Sequence, residues 1–200
     1  MIVIACNTAS SMGYEIVKEF VGNQARVVNV IDPVVKKIVS DRATRKVGVI
    51  GTKGTIKSNM YAKKIKELKR NLEVASLATP LLASMIEEGF FNNKISRTII
   101  HSYLSSKKLR KIDTLILACT HYPLIKPEIQ DFYKGDVKVI DSAGVVAEHV
   151  AALLKKDGLL NNKKNPVHHF FVSDHTESFE KSTNFFFRNR IRLKEAAIWK

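Results

Sequence analysis

Both cysteines of the chain stand in the same short sequence pattern. Cys6 ends the run IVIAC and Cys119 ends the run LILAC, and each is followed by small residues that can form hydrogen bonds. Two thiols that approach one carbon from opposite sides can invert its configuration, because one removes a proton from one face while the other delivers a proton to the opposite face. The repeated pattern therefore predicts a two-base reaction at a single carbon, with Cys6 and Cys119 as the bases.

Each cysteine is expected at the carboxyl end of a buried parallel strand. A continuous apolar run such as residues 115–118 is typical of a strand covered on both faces, and open α/β sheets bind ligands at this edge. A helical stretch is predicted after each cysteine, from about Thr8 and from about Pro123. Because the amides and dipole of a helix N-terminus favour a nearby negative charge, we expect both thiols to have a lowered pKa.

Short aliphatic runs alternate with amphipathic stretches, and this order predicts an α/β fold with a largely parallel sheet. The predicted strands are residues 2–5, 27–31, 46–51, 74–78, 114–118, 137–140 and 168–172. Helix starts are predicted where an N-cap residue precedes a proline, at Asp32-Pro33 and Thr79-Pro80. Helix ends are predicted near Gly22, Gly89 and Gly158.

The composition is that of a globular protein. Of the 200 residues 45% are hydrophobic, and 33 basic against 19 acidic residues give a net charge of +14. The basic residues are scattered without interleaved aromatic residues, so we expect no nucleic-acid site.

No apolar run approaches the roughly 18 residues of a membrane span, and the first residues lack the features of a signal peptide. We therefore expect a soluble, cytoplasmic protein without a membrane partner. The two distant cysteines fit neither a disulfide scaffold nor a zinc site, so no metal is expected.

Five motifs of the chain together resemble the cofactor-independent aspartate/glutamate racemase family, and within it the glutamate racemases. They are ACNTA at residues 5–9, GTKGT at 51–55, IEEG at 86–89, LACTHYPL at 117–124 and DSA at 141–143. The resemblance implies an α/β fold of two pseudo-symmetric, flavodoxin-like halves with parallel sheets and the active site in the cleft between them. Residues 1–30 with 137–200 are expected to form an incomplete first half, and residues 31–136 the second.

The reaction that this resemblance implies is the interconversion of L- and D-glutamate without a cofactor, which supplies D-glutamate for peptidoglycan biosynthesis. The catalytic residues would be Cys6, Cys119, His121 and Glu87. In this scheme His121 assists Cys119, and Glu87 hydrogen-bonds or tunes the histidine. Without a cofactor the carbanion charge must spread into the α-carboxylate, so the site needs preorganised hydrogen-bond donors.

The resemblance also implies which residues bind the amino and carboxylate groups of glutamate, namely Asn7, Thr8, Thr52, Thr120 and His121. From the residues alone, capping of the following helices is the simpler interpretation of Asn7, Thr8 and Thr120. The neighbouring cysteines favour the substrate-binding role instead. The turn around Thr52 lacks both the GxGxxG and the P-loop patterns of phosphate sites, so it is expected to line the cleft.

Two motifs of the family are missing from the sequence. Family members carry an Asp-Ser-Gly loop and a Pro-Tyr-Gly loop before their first cysteine, and the resemblance assigns the acidic helper of Cys6 to the first of these. The pattern indicates a truncated start, and we expect a poor racemase or none from these 200 residues alone. Two alternative functions stay open: a racemase of aspartate or another acidic amino acid, and an inactive remnant that binds an acidic protein or nucleic acid. A homodimer also stays open as the assembly.

Overall fold

The structure of the protein, a computed structural model, describes residues 1–161, 163, 165–187 and 191–198. Strands and helices alternate along the chain, as predicted for an α/β fold. The strands are β1 (Ile2–Ile4), β2 (Val27–Asn29), β3 (Lys46–Gly51), β4 (Glu73–Ala78), β5 (Thr114–Ala118), β6 (Lys138–Asp141), β7 (Phe170–Val172) and β8 (Leu193–Glu195). The α-helices are α1 (Asn7–Val21), α2 (Ile31–Ser40), α3 (Lys53–Lys57), α4 (Met60–Leu68), α5 (Pro80–Glu87), α6 (Lys94–Leu104), α7 (Lys126–Tyr133), α8 (Ser142–Lys156) and α9 (Glu177–Phe186).

The seven strand predictions are confirmed, and each differs from the observed strand by at most two residues at either end. Strand β8 was not predicted. It has only three residues, of which two are charged, so it carries no apolar run that a sequence pattern can detect.

The largest sheet has four parallel strands in the order β4-β3-β5-β6. Two further parallel pairs are formed by β1 with β2 and by β7 with β8. Strand β6 lies beyond the predicted boundary at residue 136, yet it pairs with β5. The hydrogen bonding of this sheet therefore continues across that boundary, and the division into two halves stays a prediction.

Apolar side chains cover the four-stranded sheet on both faces. On one face Val49 and Ile116 pack with buried residues of α2 and α4. On the other face Ile50 and Leu117 pack with buried residues of α5, α6 and α7. Strand β5 is buried along its whole length, as its continuous apolar run predicts. Its last residue precedes Cys119, which therefore lies at the carboxyl edge of the sheet.

The helix boundaries predicted from proline and glycine positions are confirmed except at Asp32. Thr79 is the N-cap of α5, and the proline after it is the first helical residue. The N-cap prediction for Asp32 is wrong, because α2 begins at Ile31. The Oδ1 atom of Asn29 accepts hydrogen bonds from the amides of Ile31 and Asp32, at 2.9 and 2.8 Å, which leaves the Asp32 carboxylate to pair with Lys64 at 2.7 Å. The predicted helix ends are found at Gly22, Gly89 and Gly158.

One face of α1 is apolar and exposed. Met12, Ile16 and Phe20 follow one another at helical spacing and are 69, 70 and 89% exposed. The unit formed by β1 and α1 contacts the rest of the molecule mainly through β2, α2 and α3, and through a hydrogen bond between Asn7 and Tyr61 of α4. Neither α1 nor any other helix in the described residues is long and apolar enough to cross a membrane.

Candidate active site

The two cysteines lie at the carboxyl ends of parallel strands and act on each other electrostatically. Cys6 follows β1, is exposed, and is the N-cap residue of α1. Cys119 follows β5 and is buried. A negative charge on Cys6 raises the pKa of the Cys119 thiol, which requires the two sulfurs to be near one another because such effects fade with distance. The fold therefore brings both repeats of the pattern to one site.

A cluster of three hydroxyl groups holds the start of α1 beside the four-stranded sheet. The Thr8 Oγ1 atom lies 2.9 Å from Oγ1 of Thr52 and 2.9 Å from Oγ1 of Thr55, and the latter two oxygens are 3.1 Å apart. Thr52 directly follows β3, the strand that pairs with β5. The cluster thus ties the turn after Cys6 to the strand next to the one that carries Cys119.

His121 lies between the second thiol and a carboxylate. Its Nδ1 atom is 3.6 Å from Sγ of Cys119, and its Nε2 atom is 3.0 Å from Oε1 of Glu87. Glu87 is the last residue of α5, while His121 begins the short 3₁₀ turn after β5. This chain of contacts can pass a proton between sulfur and imidazole while the carboxylate orients the ring.

The expectation of a lowered pKa is wrong for Cys119. Burial raises the pKa of its thiol to about 11, and the charges of Cys6 and Glu87 act in the same direction. The backbone amides of His121 and Tyr122 lower it, by less than burial raises it. The predicted helix is also displaced, because residues 122–125 form a 3₁₀ turn and α7 begins only at residue 126. Cys119 is therefore a protonated thiol near neutral pH, ready to donate a proton.

The side chain of Asn7 lies in the same region. It is buried, with an exposure of 2%, and its Oδ1 atom accepts a 2.7 Å hydrogen bond from the Tyr61 hydroxyl. Its Nδ2 atom is buried and has no hydrogen-bond partner among the described residues. Thr120 is exposed directly after Cys119. All the residues predicted to form the site thus lie shortly after β1, β3 and β5, including the first two residues of α1, and at the end of α5.

Three residues beside the site are not predicted by the sequence pattern. Thr55 belongs to a quoted motif, but its hydroxyl was given no role. Tyr61 is a single tyrosine in a lysine-rich helix, and nothing in its sequence surroundings distinguishes it. Phe186 stands in a run of phenylalanines, which signals an apolar contact without saying where; its ring meets the His121 ring edge-on at a centroid distance of 5.6 Å. Only long-range contacts identify these residues.

The described residues contain no group of three His, Cys, Asp or Glu side chains placed to hold a metal ion. The polar groups at the site are thiols, hydroxyls, an amide, an imidazole and a carboxylate. These groups suit proton transfer at a substrate that carries charged groups of its own.

A family profile described as Asp/Glu/Hydantoin racemase matches residues 1–150. The chain belongs to this racemase family. The glutamate racemase of Geobacter metallireducens is 38% identical over 192 residues, which cover 96% of this chain and 70% of that protein.

Solved structures of glutamate racemases share the fold of this racemase. The Francisella tularensis enzyme in complex with D-glutamate superposes with a TM-score of 0.88 at 37% identity, over 97% of this chain and 72% of that one. The Bacillus anthracis enzyme has a TM-score of 0.87 at 34% identity, over 98% of this chain and 73% of the other. The α/β fold and the family resemblance expected from the motifs are therefore confirmed.

Proposed function

We propose that this racemase interconverts L- and D-glutamate with Cys6 and Cys119 as its two bases, supplying D-glutamate for peptidoglycan. The observation that carries the proposal is the placement of two free thiols at the carboxyl ends of parallel strands, with the residues after Cys6 tied through the Thr8–Thr52 hydrogen bond to the strand beside the one that carries Cys119. The relatives support glutamate as the substrate, since those at 34–38% identity are glutamate racemases.

In one direction the Cys6 thiolate removes the Cα proton of glutamate, and the Cys119 thiol delivers its proton to the opposite face of the same carbon. The electron pair of the Cα–H bond passes into the α-carboxylate and returns to carbon when the new bond forms. Cys6 ends as a thiol and Cys119 as a thiolate, so the opposite enantiomer can react in the reverse direction without further proton transfer. Each cysteine therefore serves as acid in one direction and as base in the other.

The remaining residues stabilise charge and position groups. His121 hydrogen-bonds the Cys119 sulfur, and Glu87 holds the histidine from its other nitrogen. Asn7 supplies an amide donor that has no partner among the described residues, and Thr8, Thr52 and Thr120 offer hydroxyl groups for the amino and carboxylate groups of glutamate. Donors fixed in place before the reaction stabilise the carbanion without reorganisation cost at the moment of proton transfer.

The proposal is tested by incubating the 200-residue chain with L-glutamate in D2O, and by measuring D-glutamate with chiral chromatography and Cα deuterium with mass spectrometry. We expect slow formation of D-glutamate that carries one deuterium at Cα. This product should be absent in both Cys6→Ser and Cys119→Ser, because a hydroxyl is far too weak an acid to replace a thiol as the carbon base. Long incubations, with the two serine variants as background, allow slow turnover to be detected.

Three outcomes would contradict parts of the proposal. If Cys119→Ser racemised glutamate at nearly the wild-type rate, the two-thiol scheme would be wrong. Turnover of L-aspartate in place of glutamate would show that the substrate is wrong. If the chain neither racemised nor bound either enantiomer of glutamate, the function itself would be contradicted.

A further inference from the structure

The hydrogen bond between Tyr61 and Asn7 joins two buried side chains from distant parts of the sequence. Tyr61 lies on α4 and is 3% exposed, while Asn7 is the first residue of α1 and is 2% exposed. The Tyr61 hydroxyl donates to Oδ1 of Asn7 at 2.7 Å. The other end of the same amide, Nδ2, is buried and unpartnered among the described residues. A buried donor without a partner is costly, so this one needs an acceptor from beyond the described residues.

The tyrosine decides which end of the amide remains free. An asparagine amide can rotate by half a turn, and a tyrosine hydroxyl can either donate to its oxygen or accept from its nitrogen. If the hydroxyl donates to Oδ1, two N–H groups remain for a ligand. In the reverse arrangement an oxygen would face the ligand and repel a carboxylate. Burial raises the pKa of Tyr61, and the charge of Asp32 raises it further, so the hydroxyl keeps the proton that it donates.

The position of Asn7 indicates which ligand group the amide meets. Asn7 directly follows Cys6, the thiol proposed to take the proton from Cα. The α-carboxylate is bonded to that carbon, so it is the acceptor of glutamate that lies nearest to this amide. The carbanion charge also spreads into this carboxylate, so hydrogen bonds donated to it become stronger as the proton leaves Cα.

We infer that Tyr61 is a positioning residue, which orients the Asn7 amide so that Nδ2 donates to the α-carboxylate of the substrate. This inference rests on the proposed function for the identity of the ligand. The orientation itself depends on the hydrogen bond between the two residues. Tyr61 also belongs to the apolar core on the α2 and α4 face of the sheet, so its test must separate orientation from packing.

Tyr61→Phe removes the hydroxyl and keeps the ring in the core. We expect the dissociation constant of D-glutamate and the KM to rise about 3- to 10-fold, the range that corresponds to one hydrogen bond. In an Asn7→Ala background the same substitution should have no further effect, because no amide is left to orient. Tyr103→Phe is the matched control: it removes a tyrosine hydroxyl that bonds the Leu81 amide at 3.3 Å outside the site, and it should leave both constants unchanged.

A second readout does not depend on glutamate. In a chain labelled with ¹⁵N-asparagine, the side-chain amide signal of Asn7 is assigned by its disappearance in Asn7→Ala. Tyr61→Phe should move this signal, since Oδ1 loses its donor, and Tyr103→Phe should not.

The two readouts separate failure of the inference from failure of the proposed function. The positioning role would be overturned if Tyr61→Phe bound glutamate as tightly as the wild type. It would also be overturned if the losses of binding free energy in Tyr61→Phe and Asn7→Ala were additive in the double variant. If the wild-type chain binds no glutamate, the proposed function fails, and the ligand part of the inference fails with it. The amide signal then still decides the orientation: an unmoved signal in Tyr61→Phe overturns it, and a moved signal supports it.

Discussion

The Nε2 atom of His121 lies 3.0 Å from Oε1 of Glu87. The two residues are 34 positions apart in the sequence, and they meet because α5 ends beside the turn that follows β5. With Nε2 turned to a carboxylate, Nδ1 is the ring nitrogen that faces the Cys119 sulfur. The carboxylate therefore fixes both the orientation of the ring and the nitrogen through which it acts on the thiol.

Replacing Glu87 should impair catalysis more than substrate binding. We expect Glu87→Gln to lower kcat about tenfold with little change in KM. This is the lower end of what a charge-assisted hydrogen bond contributes, because the carboxylate is half exposed. The adjacent Glu88→Gln removes the same charge from an exposed position and serves as the control. Steady-state racemisation rates of the two variants check the prediction, and equal rates would contradict it.

The two thiols should differ in their reactivity with pH. Because the pKa of Cys119 is about 11, only about one molecule in a thousand carries its thiolate at pH 8, and this fraction should rise about tenfold per pH unit up to about pH 10. The exposed Cys6 should be alkylated by iodoacetamide at pH 8 while Cys119 is spared. Mass spectrometry of the peptides measures both sites, with the urea-unfolded chain as the control in which both thiols react alike. Equal rates at pH 8 in the folded chain would show that Cys119 is not protected.

Gly54 should be needed for the hydroxyl cluster. A Cβ atom at this position would lie 2.9 Å from Cγ2 of Thr8, and Thr8 is held by its hydrogen bonds to Thr52 and Thr55. We expect Gly54→Ala to displace Thr8 and to raise the KM for glutamate several-fold, by about the loss of one hydrogen bond. Gly13→Ala is the matched control, since it adds the same methyl group to open space on α1 and should leave KM unchanged. An unchanged KM in Gly54→Ala would rule out the proposed role of the cluster.

The ring of Phe186 should stabilise the orientation of the His121 imidazole. The two rings meet edge-on at a centroid distance of 5.6 Å, beside a cavity of about 340 Å³ that both residues line. Edge-to-face pairs contribute about 0.5–1.5 kcal/mol, so Phe186→Ala should lower kcat about 2- to 10-fold. Phe171→Ala, at a position 61% exposed on β7, should not change it. Measuring kcat for the two variants checks this prediction. A wild-type kcat in Phe186→Ala would show that the Phe186 ring does not influence the function of His121.

The strands and the edge at which the cysteines lie follow from the sequence. Residues 115–118 form a buried strand because an unbroken apolar run is stable only when both of its faces are covered. The residue after such a run must then lie at the carboxyl edge of the sheet. The apolar run before Cys6 likewise predicts strand β1, but the expectation that this strand is buried is wrong, since Ile2 and Val3 are 39 and 38% exposed. Periodicity and strand ends are properties of neighbouring residues, so a single sequence contains them.

The protonation state of Cys119 and the Tyr61–Asn7 hydrogen bond depended on the tertiary structure. Local pattern predicted a lowered pKa for Cys119, because a helical stretch was expected to follow it. The fold buries the thiol instead, and loss of contact with water disfavours its charge by more than the nearby amides favour it. Likewise, Tyr61 and Asn7 stand 54 positions apart. Burial and long-range pairing are set by how the elements pack, and no local pattern encodes that arrangement.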